Sequence, residues 1–177
     1  MGIRTVRTEG DECLRQVCKP VKSVSLRTRI LIEDMFDTMY ESGGVGLAAP
    51  QIGVLKRIVV MDTDDNQHVL INPQILEVSG EQTGYEGCLS IPGKSGIVTR
   101  PDYVKVKALN ERGEEYILEG EGLLARCICH ECDHLDGILY SDKAEGGLIN
   151  NEDLPDDEEE ELYEDAYEEF TEEEIHK

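Results

Sequence analysis

The pentapeptide His130-Glu131-Cys132-Asp133-His134 constrains this chain more than any other segment. Two histidines four positions apart can present both imidazoles to one divalent ion on an α-helix, where residues i and i+4 share a face. Glu131 then stands beside any water held by that ion and can take its proton without being a ligand. Two surface histidines on a helix would spell the same pattern, but they would leave the intervening carboxylate without a use.

Two histidines are only two ligands, and a catalytic site of the zinc type takes three from the protein and leaves a position for water. Downstream, the next histidine is His176, and Glu145 and the C-terminal carboxylates are further donors. Upstream, Glu86-Gly87-Cys88-Leu89-Ser90 offers a thiol framed by Gly84 and Gly87. Thiolate is a strong ligand for iron and zinc. A lone cysteine is more often a small buried hydrophobe, so Cys88 gains weight only in combination. A third segment, Gly44-Val45-Gly46-Leu47-Ala48-Ala49-Pro50-Gln51, permits close backbone approach at its two glycines. Gln51 carries the kind of neutral amide donor that steadies a developing oxyanion.

A rival reading groups Cys127, Cys129 and Cys132 with the histidines as a closed structural site. At about 100° per residue, Cys129 and Cys132 cannot share the face of His130 and His134. That reading also leaves Glu131, Gln51 and the Glu86–Cys88 segment unexplained.

The 177-residue length suits one domain with a substantial core. The chain opens without an apolar leader, and no stretch approaches the about 18 apolar residues of a membrane span, so a cytoplasmic protein without membrane contact is expected. Cysteines clustered beside the histidines suit a metal or thiol site in a reducing compartment better than a disulfide framework. The net charge is −22, and residues 151–177 hold 15 of the 39 acidic residues but one of the 17 basic ones. Residues 1–150 are thus a moderately acidic body and 151–177 an extreme tail. No basic stretch suggests capture of DNA or RNA.

Spacing predicts a helix over Leu26–Glu41 after Ser25, with Ile30, Met35, Met39 and Tyr40 on its apolar face. Strands are expected at Lys56–Met61 and Val69–Ile71 around a polar turn at Asp62–Gln67, and a hairpin from Val104–Leu109 to Glu115–Leu118. Gly122–Leu135 is the helix of the histidines. The order indicates an α+β fold with antiparallel or mixed sheets around that central helix. In the tail, Leu162, Tyr163, Ala166, Tyr167 and Phe170 mark a C-terminal helix with one apolar stripe.

The three segments together resemble the peptide deformylase family, whose motifs G-x-G-x-A-A-x-Q, E-G-C-L-S and H-E-x-D-H stand here in that order with every fixed position filled. The E-G-C-L-S form is similar to the bacterial type. The likeness spans roughly residues 1 to 143, including Arg100-Pro101 and Leu135-Asp136-Gly137. It implies a hydrolase that removes the N-formyl group from the formylmethionine of nascent polypeptides. The resemblance implies Cys88, His130 and His134 as ligands of Fe²⁺, for which Zn²⁺, Ni²⁺ or Co²⁺ can substitute. It implies Glu131 as the base, with Gln51 and the Leu89 amide as oxyanion donors. Extended substrate would bond to the backbone at Val45, Gly46 and Gly87.

Leu123 and Cys127 suit the methionine pocket and an ordinary core equally. Glu86 and Arg100 are expected as an ion pair behind the ion, or else as a surface pair. Two departures stand out. Cys129 replaces the family's common glutamine, and the acidic tail replaces an often basic C-terminal helix that associates with the ribosome. Contact of this tail with rRNA would be repelled, which leaves diffusion to nascent chains or docking on basic ribosomal protein.

Overall fold

The computed structural model describes residues 2–155. Helix α1 spans Leu26–Glu41, as its sequence suggests, because Ser25 in extended backbone accepts a hydrogen bond from the Thr28 amide and caps the first turn. Beyond Ser42, Gly43 takes a left-handed φ of 71° and ends it. The apolar face is phased differently from the spacing argument. Met35 and Met39 are fully buried, but Leu31 and Ile32 complete the stripe, while Ile30 and Tyr40 are about half exposed on its flanks.

In chain order the strands are β1 (Gly46–Ala48), β2 (Ile58–Thr63), β3 (Asn66–Ser79), β4 (Gln82–Cys88), β5 (Ile91–Arg100), β6 (Tyr103–Leu109), β7 (Glu115–Glu121) and β8 (Glu145–Asn150). They form a five-stranded antiparallel sheet, β1-β2-β3-β6-β7, and a three-stranded one, β4-β5-β8. Helix α2 (Gly122–Leu135) lies between them, against β1, β2, β6 and β7 on one side and β5 on the other. The architecture is α+β with the histidine helix at its centre.

Strand β2 shows why the large sheet holds. Its run Ile58-Val59-Val60-Met61 is apolar without alternation because both faces are covered. Ile58 and Val60 pack with Leu31, Met35 and Met39 of α1, whereas Val59 and Met61 pack with Ala125, Ile128 and Leu135 of α2. A smaller cluster of Leu14, Ile91, Val98, Leu139 and Tyr140 supports the second sheet.

Four strands escaped the sequence reading: β1, β4, β5 and β8. Strands β4 and β5 carry glycines and a proline that read as turn formers. Their pairing is set by long-range contact with α2, not by local propensity. The expected turn at Asp62–Gln67 contracts to Asp64 and Asp65, both left-handed, in a two-residue hairpin that pairs Thr63 with Asn66. The expected C-terminal helix lies outside the described residues.

One electrostatic reading also changes. Arg4, Lys19, Lys22, Arg27 and Lys56, scattered in sequence, gather around two adjoining grooves. An isolated parallel bridge between Lys19 and Lys56 brings two of them together. A basic patch therefore exists that no run of sequence displays.

The turn yields a test. Asp65→Gly relieves a left-handed aspartate and is expected to raise unfolding free energy by about 0.5–1 kcal/mol in urea titrations, whereas Asp65→Val should lower it by about 1–2 kcal/mol.

Candidate metal centre

Two periodicities build the centre. His130 and His134 lie one turn apart on α2, and Glu86 and Cys88 lie two positions apart on β4, hence on one face of the strand. Where these faces meet, the Cys88 Sγ and one ring nitrogen each of His130 and His134 all lie within 4.8 Å of one another. Cys88 Sγ is 3.4 Å from His134 Nε2. The rings of His130 and His134 meet edge to face with centroids 5.0 Å apart. Among the described residues no other group of this kind forms, so neither Glu145 nor the α2 cysteines join it. Glu145 instead accepts from the Thr99 hydroxyl on the neighbouring strand.

The second ring nitrogen of His130, Nδ1, donates to Glu86 Oε1, which turns Nε2 toward Cys88. The same carboxylate accepts from Arg100 through Nη2 at 2.7 Å and Nε at 3.2 Å, and from Arg126 Nη1 at 2.7 Å. Arg100 Nη1 extends the chain to Asp133 at 2.6 Å. Glu86 and Arg100 are both buried, so they form the interior pair and not the surface one. Burial alone would raise the Glu86 pKa, but the bonds from His130 and Arg100 outweigh it and hold the carboxyl well below its usual range.

Burial likewise governs the remaining groups. It pushes Glu131 up to about 7, and it drives His134 well below its ordinary value, so this imidazole stays neutral as a ligand must. Burial opposes a proton on His130, yet the neighbouring Cys88 and Glu86 more than offset this and raise it to about 10. A divalent ion held at Nε2 would supply that positive charge in place of the proton, which leaves the ring neutral as a ligand. Burial also raises Cys127, Cys129 and Cys132, which keeps all three as thiols instead of metal-binding thiolates.

Beside the cluster lies a cleft of about 590 Å³ that includes Val45, Gly46, Gly87, Leu89, Leu123 and Cys127 in its lining. Two strand edges border it. Among the described residues, strand β1 pairs only with β2, and β4 only with β5, so each has an open edge there. The Val45 carbonyl is used by the Asp62 amide at 2.8 Å. Antiparallel alternation then turns the N–H and C=O of Gly46, which stands opposite Met61, toward the open side. Gly46 must lack a side chain: a Cβ there would meet Glu131 Oε1 at 2.7 Å and Cys127 Sγ at 2.9 Å.

Gln51 is buried, its Oε1 accepting from the Ala48 amide at 2.9 Å. Its Nε2 donates to Ser90 Oγ at 3.1 Å and points a second hydrogen at Cys88 Sγ, 3.6 Å away. Leu89 occupies the two-residue turn between β4 and β5, and its amide takes no part in the turn and loop hydrogen bonds of the described residues. Leu123 is half exposed on the cleft wall, whereas Cys127 is buried and belongs to both wall and core.

Sequence reasoning missed three supports. Arg126 grips Glu86, and its only signal is a position one turn before His130 on the same helix face. Ser90 and Asp133 occupy fixed motif positions that had no assigned task; here they orient Gln51 and Arg100.

The residues present suit a divalent ion. One thiolate and two imidazoles are a donor set for Zn²⁺ or Fe²⁺, three protein ligands leave a coordination position, and Glu131 Oε2 is buried without a protein partner nearby.

Comparison with known proteins agrees in sequence and in fold. A family model described as polypeptide deformylase matches residues 3–147. A peptide deformylase of Agathobacter rectalis is 60% identical over 148 residues, which cover 84% of this chain and 94% of that protein. Peptide deformylase 1 of Clostridium acetobutylicum is 57% identical over 143 residues, 81% of this chain and 95% of its own length. The crystal structure of a peptide deformylase from Thermotoga maritima superposes with a TM-score of 0.80 at 41% identity, covering 82% of this chain and 99% of that one.

The Glu86 hub generates a test. Glu86→Gln keeps the shape but leaves Arg100 and Arg126 short of a counter-charge, so stability in guanidinium titrations should fall by about 3–5 kcal/mol. Metal affinity, measured by chelator competition, should fall about 10–100-fold; an unchanged affinity would show that Glu86 does not orient His130.

Proposed function

This chain belongs to the polypeptide deformylase family, and on that premise we propose that it is the metal-dependent hydrolase that removes the N-formyl group from nascent polypeptides, with Cys88, His130 and His134 as its metal ligands. The observation that carries the assignment is the meeting of Cys88 with both histidines beside a buried glutamate, at the side of a cleft bounded by two open strand edges. The ion we assign is Fe²⁺, with Zn²⁺, Ni²⁺ or Co²⁺ as substitutes, because a thiolate ligand favours soft and borderline metals. When bound, it supplies Lewis acidity and a water activated for attack near neutral pH.

The chain's own residues do the rest. An extended peptide lies between β1 and β4, bonded to the open edge at Gly46 and at Gly87 and flanked by Val45, as an added strand would be. The methionine side chain enters the apolar wall at Leu123 and Cys127. As water adds to the formyl carbon, the Gln51 Nε2 hydrogen that faces Cys88, not the one held by Ser90, and the Leu89 N–H donate to the carbonyl oxygen that gains charge. Glu131 takes the proton from the attacking water, and its burial, which raises its pKa to about 7, keeps that proton within reach. It then passes the proton to the departing nitrogen as the C–N bond breaks, which releases formate and a free N-terminus. Glu86 and Arg100 stand behind His130 and fix its ring. The catalytic unit is residues 1–150, and residues 151–177 are an appended acidic tail.

The partners are formylated nascent chains in the cytoplasm. Repulsion between the acidic tail and rRNA favours reaching them by diffusion. No described helix is long and apolar enough to cross a membrane.

Formate release from a formyl-Met peptide by anaerobically prepared Fe²⁺ protein tests the reading. Glu131→Gln should lower kcat by about 10²–10⁴-fold while the protein retains its metal. Cys88→Ala should release the metal and the activity together. Activity that survives Glu131→Gln would remove this mechanism.

A further inference from the structure

The two adjoining grooves at the start of α1 have a composition unlike the rest of the surface. Five cations, Arg4, Lys19, Lys22, Arg27 and Lys56, line them, and no aspartate or glutamate does, in a chain with 39 acidic and 17 basic residues. Of the five, only Arg4 has a carboxylate partner among the described residues, Asp34 at 2.9 Å. Between the cations stand exposed apolar side chains: Leu26 is 72% accessible, Ile30 48% and Leu55 38%. Such a surface matches an acidic segment with apolar side chains at intervals, and this chain contains one. Residues 156–177 hold 13 carboxylates and one lysine, with Leu162, Tyr163, Tyr167 and Phe170 spaced as one face of a helix would space them.

We propose that residues 156–177 dock on this basic, apolar groove of their own chain and shield it from polyanions such as RNA. The tether allows it. Asn151 lines the same cleft as Val6, and Arg4, two residues before Val6, lines the groove. The tail of 22 residues spans about 33 Å as a helix and up to roughly 70 Å extended, so it reaches across a domain of this size. Attachment supplies an effective concentration of about millimolar, enough for a contact too weak to hold between separate molecules. The charge component is screened beyond about 8 Å at physiological salt, while the apolar component is not, so the contact uses both.

Zero-length carbodiimide cross-linking of the full chain at low concentration, read by mass spectrometry, tests the proposal. Links from carboxylates of residues 156–177 should fall on Lys19, Lys22 and Lys56 at least about 5-fold more often than on Lys105 or Lys107. Leu26→Ser with Leu55→Ser should reduce those links several-fold and leave deformylation unchanged. In a parallel arm, replacing Glu158, Glu159, Glu160 and Glu161 with glutamine should strengthen binding of a single-stranded RNA oligonucleotide about 10-fold or more. Links spread evenly over the lysines, concentrated on Lys94 at the cleft, or found only between isotopically distinct copies would overturn the proposal. So would RNA binding that is indifferent to the tail charges.

Discussion

A single buried carboxylate holds the centre of this protein in register. Glu86 projects from β4 into the interior, where it is buried, and a charge there is tolerable only with several donors around it. Those donors come from separate elements: Arg100 from β5, and Arg126 and His130 from α2. Satisfying one charge therefore clamps the small sheet onto the central helix. Cys88 follows two positions along the same strand and is carried to the histidines by the pleat of β4. The strand's period of two and the helix's period of 3.6 converge on one point because Glu86 binds both elements together.

The sequence was most legible where local rules decide the outcome. Ser25 and Ser42-Gly43 announce the ends of α1, and the bounds of α2 follow from Gly122 and the run to Leu135. The three motifs, taken together, likewise bring out Cys88, Gln51 and Glu131, which line one cleft. It was least legible where tertiary contact decides. Gly84, Gly87 and Pro92 sit in paired strands because the second sheet has α2 to lie on, and their local preference is overruled. Arg126 reads as a surface residue of an amphipathic helix until Glu86 is placed beside it. Lys19 and Lys56 read as isolated charges until an isolated bridge joins their two segments.

The cysteines of α2 illustrate how a suggestive pattern resolves physically. Their proximity to the histidines invites a metal cluster, but helix α2 is enclosed by a sheet on each side over most of its length. Enclosure asks for apolar side chains, and a thiol is a small hydrophobe that packs beside Ala125, Ile128 and Leu135. Cys127, Cys129 and Cys132 fill that need, while Cys88, on the strand, is the thiol brought within bonding range of the imidazoles.

The open edges of β1 and β4 bear on how widely such an enzyme can act. A strand edge recognises N–H and C=O groups, which every peptide carries at the same interval whatever its side chains. In the proposed binding mode, choosiness is confined to the wall that meets the first residue, and the following positions contribute grip without preference. Breadth of substrate in that mode comes from geometry common to all polypeptides and requires no pliable pocket.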